Sequence, residues 1–312
     1  MEARYATVAE LRRAISTEAL VAAGVPRAGP LQTLLRPLVW PPCNRFAHIA
    51  AEFDRRVALY GLVEAARWVL PIFVEGTQAL GVEHIPATGP LVVASNHPGS
   101  YDALLLVETL GRDDLKILVS DVPVLRNAYA TSSHFIYTRT DRDAAHSRLG
   151  SARESVRHLK EGGALLVYAS GQVDPDPALL PGAVEELQYW SPSLPLFVRR
   201  VPETKLLVAI VSGVLAPSCF HHPFTRLRKE QRLKQFLAEF IQISQQLLFN
   251  RRFPLNPTVR YASPLTASDL GGGQDPQAAL ETIIEQAEAL LADVPSGVQT
   301  ARGLPVKVRQ RL

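Results

Sequence analysis

Cysteine is scarce in this chain: Cys43 and Cys219 are the only two among 312 residues. Two thiols cannot build a disulfide framework or a four-cysteine zinc site. An excess of either charge is also missing. Lys+Arg number 33 and Asp+Glu 30, a formal net charge of +3, which gives no reason to expect a nucleic-acid partner. Long apolar runs are lacking too. A membrane-spanning helix needs about 20 mostly apolar residues. The one long uncharged window, 206–225, opens with LLVAIVSGVL and then breaks into APSCFHHPFT. A second candidate, 59–74, is interrupted by Glu64 and Arg67. No span is therefore expected, and association with a membrane surface stays open. The opening MEARYATVAELRR has early acids and no apolar core, so no signal peptide is read there.

What is present suits a folded core, since 47% of the residues are hydrophobic. Residues 6–23 read as a helix, 29–39 as a short second one, and 44–70 as a third with one apolar stripe. The texture changes after that. Residues 73–80 read as a strand, 81–90 as a turn-rich connector, and 91–95 (LVVAS) as a short buried strand. A helix over 101–110 follows, then strands at 116–120 and 134–138. The spacing predicts a helix over 141–160, closed by Gly162 and Gly163. Strands at 164–169 and 205–215, an amphipathic helix over 225–249 and a strand at 258–263 come next. Asp275 as N-cap and Pro276 as first helical residue open a last helix over 276–293. Strands alternating with helices imply an α/β fold, a central mostly parallel sheet flanked by helices, with a helical N-terminal extension. The expected organisation is a helical region 1–70, a sheet-bearing domain 71–293 and a basic tail 294–312.

The chemistry concentrates in LVVASNHPGSYDALLL (91–106). A strand ends at Asn96 and His97. Pro98 disfavours helical geometry for His97 and holds it extended at the strand tip. Asp102 falls in the first turn of the following helix, where a carboxylate is favoured by roughly 0.3–1 kcal/mol. The chain leaves the sheet and returns within five residues, so the Asp102 carboxylate can reach the His97 imidazole. Strand tips of open α/β sheets are also where ligands bind. An Asp–His pair of this kind is a general-base device: the acid fixes the tautomer through Nδ1, and Nε2 takes a proton from a hydroxyl. The spacing alone carries little weight, because a turn-capping His and a helix-capping Asp produce it as well.

With its flanks the segment resembles the glycerolipid acyltransferase family, which contains the lysophosphatidate and glycerol-3-phosphate acyltransferases. GVEHIPATGPLVVASNHPGSYD (81–102) is similar to the family's lead-in and its Asn-His-x4-Asp signature. HFIYTR (134–139) resembles a second block that ends in a substrate-binding arginine, here Arg139. LLVYASG (165–171) lies where a third block, usually Phe-Pro-Glu-Gly-Thr-Arg, falls, and TVRYASPL (258–265) resembles the closing strand. The resemblance implies an O-acyltransferase with His97 and Asp102 catalytic and with Asn96, Gly99, Arg139, Ser170 and Gly171 binding substrate. It implies an acyl-CoA or acyl carrier protein thioester as co-substrate, a lysolipid acceptor, no cofactor and no metal. The expected setting is cytoplasmic and peripheral at a membrane surface.

The third block departs from the family: Ser170 replaces its glutamate, Ala169 its proline and Val173 its arginine, and Gly171 alone is kept. A phosphate-bearing acceptor would lose a charge-assisted contact of roughly 1.5–3 kcal/mol. Either another basic residue substitutes or the acceptor is not a lysophosphatidate. The proline-rich stretch 171–182 is expected to shape the acceptor pocket, and the Gly99 turn and Gly171 are candidate oxyanion donors. Two alternatives stay open: a lipid-binding protein of the same fold without catalysis, and a serine esterase using Ser170. The adjacent His221 and His222 point different ways and have no Cys or Asp cluster beside them, so no metal site is expected there.

Overall fold

The computed structural model describes residues 6–99, 101–138, 145–273 and 275–295. Seven strands form one sheet: β1 Gln78–Leu80, β2 Leu91–Ser95, β3 Leu115–Ser120, β4 Phe135–Thr138, β5 Ala164–Tyr168, β6 Lys205–Ser212 and β7 Thr258–Tyr261. Their order is β1-β7-β6-β2-β5-β3-β4, and every pair is parallel except β6–β7. β2 lies at the centre and shows the strand period plainly. Leu91 and Val93 enter the core on one face, Val92 and Ala94 the core on the other. All four are fully buried, as expected of a parallel strand covered on both sides.

Three helices come first: α1 Val8–Ala22, α2 Pro30–Tyr60 and α3 Leu62–Phe73. α1 opens with a reciprocal cap between Thr7 and Glu10. The sequence reading broke α2 at its prolines, and here the structure differs. Pro37, Pro41 and Pro42 all lie inside one continuous helix, and the break comes at Gly61 (φ 90°). An interior proline removes one helical hydrogen bond. Packing outweighs that loss here, because Cys43 and Ala47 of α2 are buried against Leu11, Ile15 and Ala19 of α1. At Gly61 the chain turns under Asp113, whose carboxylate accepts from the Val63 N–H (3.1 Å) and leaves no room for a Cβ.

α3 accounts for the apolar window at 59–74. Ala65, Ala66, Val69, Leu70 and Phe73 are buried in the core over one face of the sheet, so its hydrophobicity serves burial. Phe73 belongs to this helix, and only Gln78–Leu80 of the expected 73–80 strand is extended. α4 Asp102–Leu110 completes that face. After it come two single-turn helices, α5 Pro123–Arg126 and α6 Tyr129–Ser132, and then α7 Ala145–Lys160. The other face carries α8 Leu194–Arg200, a helix the sequence reading missed, and α11 Pro276–Ala292. The Asp275 cap of α11 forms as expected, accepting from Gln277 and Ala278 N–H groups. Among the described residues no helix is long and apolar enough to cross a membrane. The basic tail lies outside the described residues from 296 onward.

After α9 Pro217–Phe220, the long helix α10 Gln231–Phe249 starts six residues later than its apolar spacing predicts. Residues 223–227 form a separate 3-10 turn, in which the buried Thr225 hydroxyl donates to Phe220 O. The inward stripe of α10 is also polar. Gln235, Glu239, Gln242 and Gln246 are buried, while Leu233 and Phe236 are 39% and 38% exposed. Gln242 accepts from Ala216 N–H (2.6 Å) and donates to Val214 O (2.9 Å), and Gln246 donates to Phe73 O (2.6 Å).

The proline-rich loop 171–182 is anchored by Asp176. This fully buried carboxylate accepts from the N–H groups of Gly213 (2.8 Å), Val214 (2.8 Å), Leu215 (3.0 Å) and Ala178 (3.0 Å). It thereby caps the chain leaving β6. Asp176→Ala leaves those buried N–H groups without an acceptor, so a loss of about 3 kcal/mol or more is expected by urea unfolding. Asp176→Asn, which keeps one acceptor oxygen, should lose less.

Candidate active site

Ser95 of β2 stands opposite Tyr168 of β5 and Ala209 of β6. The tips of β2 and β5 therefore end side by side, and the next residues leave the sheet together. Asn96 extends the ladder through its side chain. Its amide donates to Val211 O (2.9 Å) and accepts from Val211 N–H (2.8 Å). The Asn96 amide thus ties β2 to β6, a structural role that the resemblance did not imply.

His97 follows, its backbone clamped by Asp174 in both directions. The His97 N–H donates to Asp174 Oδ2, and the Asp174 N–H donates to His97 O, each at 2.8 Å. The chain then turns through Pro98 and Gly99 into α4. Asp102 is fully buried there, and His97 Nδ1 lies 2.6 Å from its Oδ2. The same oxygen accepts from the Gly99 N–H (3.1 Å), and Oδ1 accepts from the Tyr168 hydroxyl (2.8 Å). The Tyr168 ring stacks on the imidazole at 4.2 Å between centroids, 26° from parallel. The His97 side chain stays 30% exposed, so Nε2 can be approached.

Charge governs this imidazole. Burial works against its protonated form, but the charge and hydrogen bond of Asp102 outweigh burial, with help from Glu239 and Asp174. The ring is pushed up to about 9. Burial likewise pushes the Asp174 carboxyl up, opposed by Ser170 and by the His97 N–H.

The third block is less open than the resemblance implied. The Ser170 hydroxyl donates to Gln172 O (3.1 Å) and accepts from the Gln172 N–H (3.2 Å). Among the described residues it makes no hydrogen bond to His97, so the base that a serine nucleophile needs is not in place. Both candidate oxyanion donors are already engaged: the Gly171 N–H donates to Tyr168 O (2.9 Å) and the Gly99 N–H to Asp102. The tight turn at Gly171 (φ 67°) and the buried demand of Asp102 account for this. Arg139 and Arg142 lie outside the described residues.

Two hollows are lined in part by α10, and neither has His97 or Asp102 in its wall. The first, about 370 Å³, is almost wholly apolar, lined by Ile15, Ala19, Cys43, Phe46, Phe236 and Phe240 among others. Glu239 lies on its wall and packs against Gly99, where an added Cβ would sit 3.1 Å from the carboxylate carbon. The second, about 530 Å³, is mixed in character, with Gln172, Glu185, Glu186, Glu230 and Arg232 on its walls beside Pro175 and Pro181. Arg232 donates to Gln172 and to Glu186. Gln235, also on that wall, donates to Pro98 O (2.5 Å) and Asp174 O (2.9 Å), beside His97. Sequence reasoning missed Tyr168, Asp174, Glu239 and Arg232. The repeated Asp-Pro at 174–177 was the one local signal, since an acid before proline marks a pinned extended turn.

Residues 78–185 match the family model described as Acyltransferase. That match is in line with the resemblance read from the first block. No curated protein matches the chain in sequence. Among solved structures, the chain is similar to the 1-acyl-sn-glycerophosphate (LPA) acyltransferase PlsC from Thermotoga maritima. The identity is 13%, over 95% of this chain and 97% of that one, with a TM-score of 0.46.

His97 links stability to pH. Its native value lies above the unfolded one of 6.5, so the native state holds the proton more tightly. That contribution is complete below about 6.5 and is lost as pH rises through about 9. Unfolding free energy measured by urea at several pH values should fall across this window. His97→Ala should flatten that fall.

Proposed function

We propose that this protein is an O-acyltransferase. It moves a fatty acyl group from an acyl thioester, on CoA or acyl carrier protein, to a hydroxyl of a glycerolipid-type acceptor such as a lysophospholipid. One observation carries the reading: His97, its side chain still partly exposed, is braced at 2.6 Å by the buried Asp102 at the tips of the central strands. The apolar hollow suits the acyl chain, and burial favours binding by about 0.8 kcal/mol per CH2. Asp102 holds the Nδ1 proton, which leaves Nε2 to take the proton from the acceptor hydroxyl. The hydroxyl oxygen attacks the thioester carbonyl, and the tetrahedral oxyanion collapses with loss of the thiolate. The thiolate regains a proton from the imidazolium, which resets the base.

Leu31, Leu34 and Leu38 of α2 are exposed, as are Phe224 and Leu227. Arg228 ties the Phe224–Leu227 segment to the end of α1 by donating to Ala22 O (3.0 Å) and Val21 O (2.9 Å). Arg226 and Lys229 flank it. Apolar side chains rimmed by cations suit an anionic bilayer surface, from which a chain could enter past Phe236. The mixed hollow suits the acceptor head. Glu185, Glu186 and Glu230 face it with Arg232, and Arg232 already holds Glu186. A phosphate there would meet more negative charge than positive.

Purified protein with labelled acyl-CoA or acyl carrier protein and a panel of lysolipids, read by product mass, tests this. His97→Ala should lower turnover by about 10²–10⁴ with an unchanged circular dichroism spectrum; full activity would remove the base assignment. Because only the neutral imidazole accepts a proton, kcat/KM should climb with pH, reach half its plateau near 9 and level off above that. Acceptors with a neutral or cationic head should outpace lysophosphatidate; a preference for lysophosphatidate would place the head elsewhere.

A further inference from the structure

Tyr168 touches both members of the pair, in two different ways. Its hydroxyl donates to Asp102 Oδ1 at 2.8 Å, the oxygen that His97 does not use. Its ring lies over the imidazole at 4.2 Å and 26°. It can do both because it ends β5 directly opposite Ser95, two residues before His97 on the neighbouring strand. Burial, then the Asp102 carboxylate, push the phenol well above its ordinary range, so it stays a donor. A phenylalanine here would keep the stack and lose the bond.

We propose that Tyr168 is a positioning residue of the pair, holding the Asp102 carboxylate through its hydroxyl and the His97 imidazole through its ring face. The inference rests on His97 as the base. The two contacts act in opposite senses. The hydroxyl bond draws negative charge away from Asp102 and so weakens its hold on the imidazole proton. The ring face attracts the imidazolium and strengthens that hold. Together they fix the ring plane and keep Nε2 aimed outward. The other charged groups acting on His97 are Asp102 from α4, Asp174 from the loop after β5 and Glu239 from α10. Substitution at Tyr168 leaves all three in place.

The test is an NMR titration of the His97 imidazole in the intact protein, beside the pH profile of acyl transfer. Tyr168→Phe should titrate at least half a unit above the native protein, because Asp102 regains its full pull. Its kcat should fall several-fold while KM changes less than twofold. Tyr168→Leu loses the stack as well and should titrate below Tyr168→Phe. Superimposable titrations of the native and Tyr168→Phe proteins would overturn the inference, whatever the activities. The titration needs no turnover. If His97→Ala keeps full activity while the Tyr168 shifts appear, the functional reading fails and the positioning contact stands. Should Tyr168→Leu not fold, the isosteric Tyr168→Phe decides alone.

Discussion

A fully buried carboxylate at the start of α4 sets the terms for everything around it. An ion removed from water is costly unless donors surround it. Among the described residues Asp102 has the His97 ring, the Gly99 N–H and the Tyr168 hydroxyl. Each comes from a different piece of architecture: the tip of β2, the turn behind it and the end of β5. The β2–β5 register, with Ser95 opposite Tyr168, is what allows them to converge. A slip of one residue would turn the Tyr168 side chain to the other face of the sheet, and the carboxylate would lose a donor. The packing of the two apolar cores on β2 therefore also holds the acid–base geometry.

α10 packs against the turn that joins this pair. Its buried stripe of Gln235, Glu239, Gln242 and Gln246 stitches together loops that end the strands, including the carbonyls of Pro98 and Asp174. Amides suit that task because each offers donors and an acceptor to backbone groups that no sheet or helix satisfies. Its apolar residues Phe236, Phe240 and Ile243 turn instead toward α1 and α2 and line the greasy hollow. One helix thus lines both the apolar hollow and the mixed one.

Much of this was legible in the sequence, and the misses share a cause. The strands 91–95 and 164–168 were readable because a central parallel strand must be apolar on both faces. The His97–Asp102 contact was readable because Pro98 and the helix start confine the chain between them. What escaped was long-range. α2 runs through Pro41 and Pro42 because α1 packs on it, and no local propensity records that. The apolar spacing of α10 marked Leu237, which is buried beside Ala238, but not the buried polar stripe that serves loops far away in sequence. Tyr168 looked like a strand residue because its partner Asp102 lies 66 positions earlier.

The altered third block makes sense in the same terms. Ser170 and Val173 have replaced charged residues of the family pattern, and the loop that follows is held by carboxylates of its own. Asp174 grips the His97 backbone on both sides and Asp176 caps β6. These acids make the loop a structural strut across the strand tips. Among the described residues the cation that reaches the block is Arg232, which arrives from α10 and is held by Gln172 and Glu186. A loop that supplied charges to a ligand would have to leave them accessible, and this one buries Asp174 and Asp176 in backbone hydrogen bonds. The block's remaining polar groups are thus committed to holding the strand tips together.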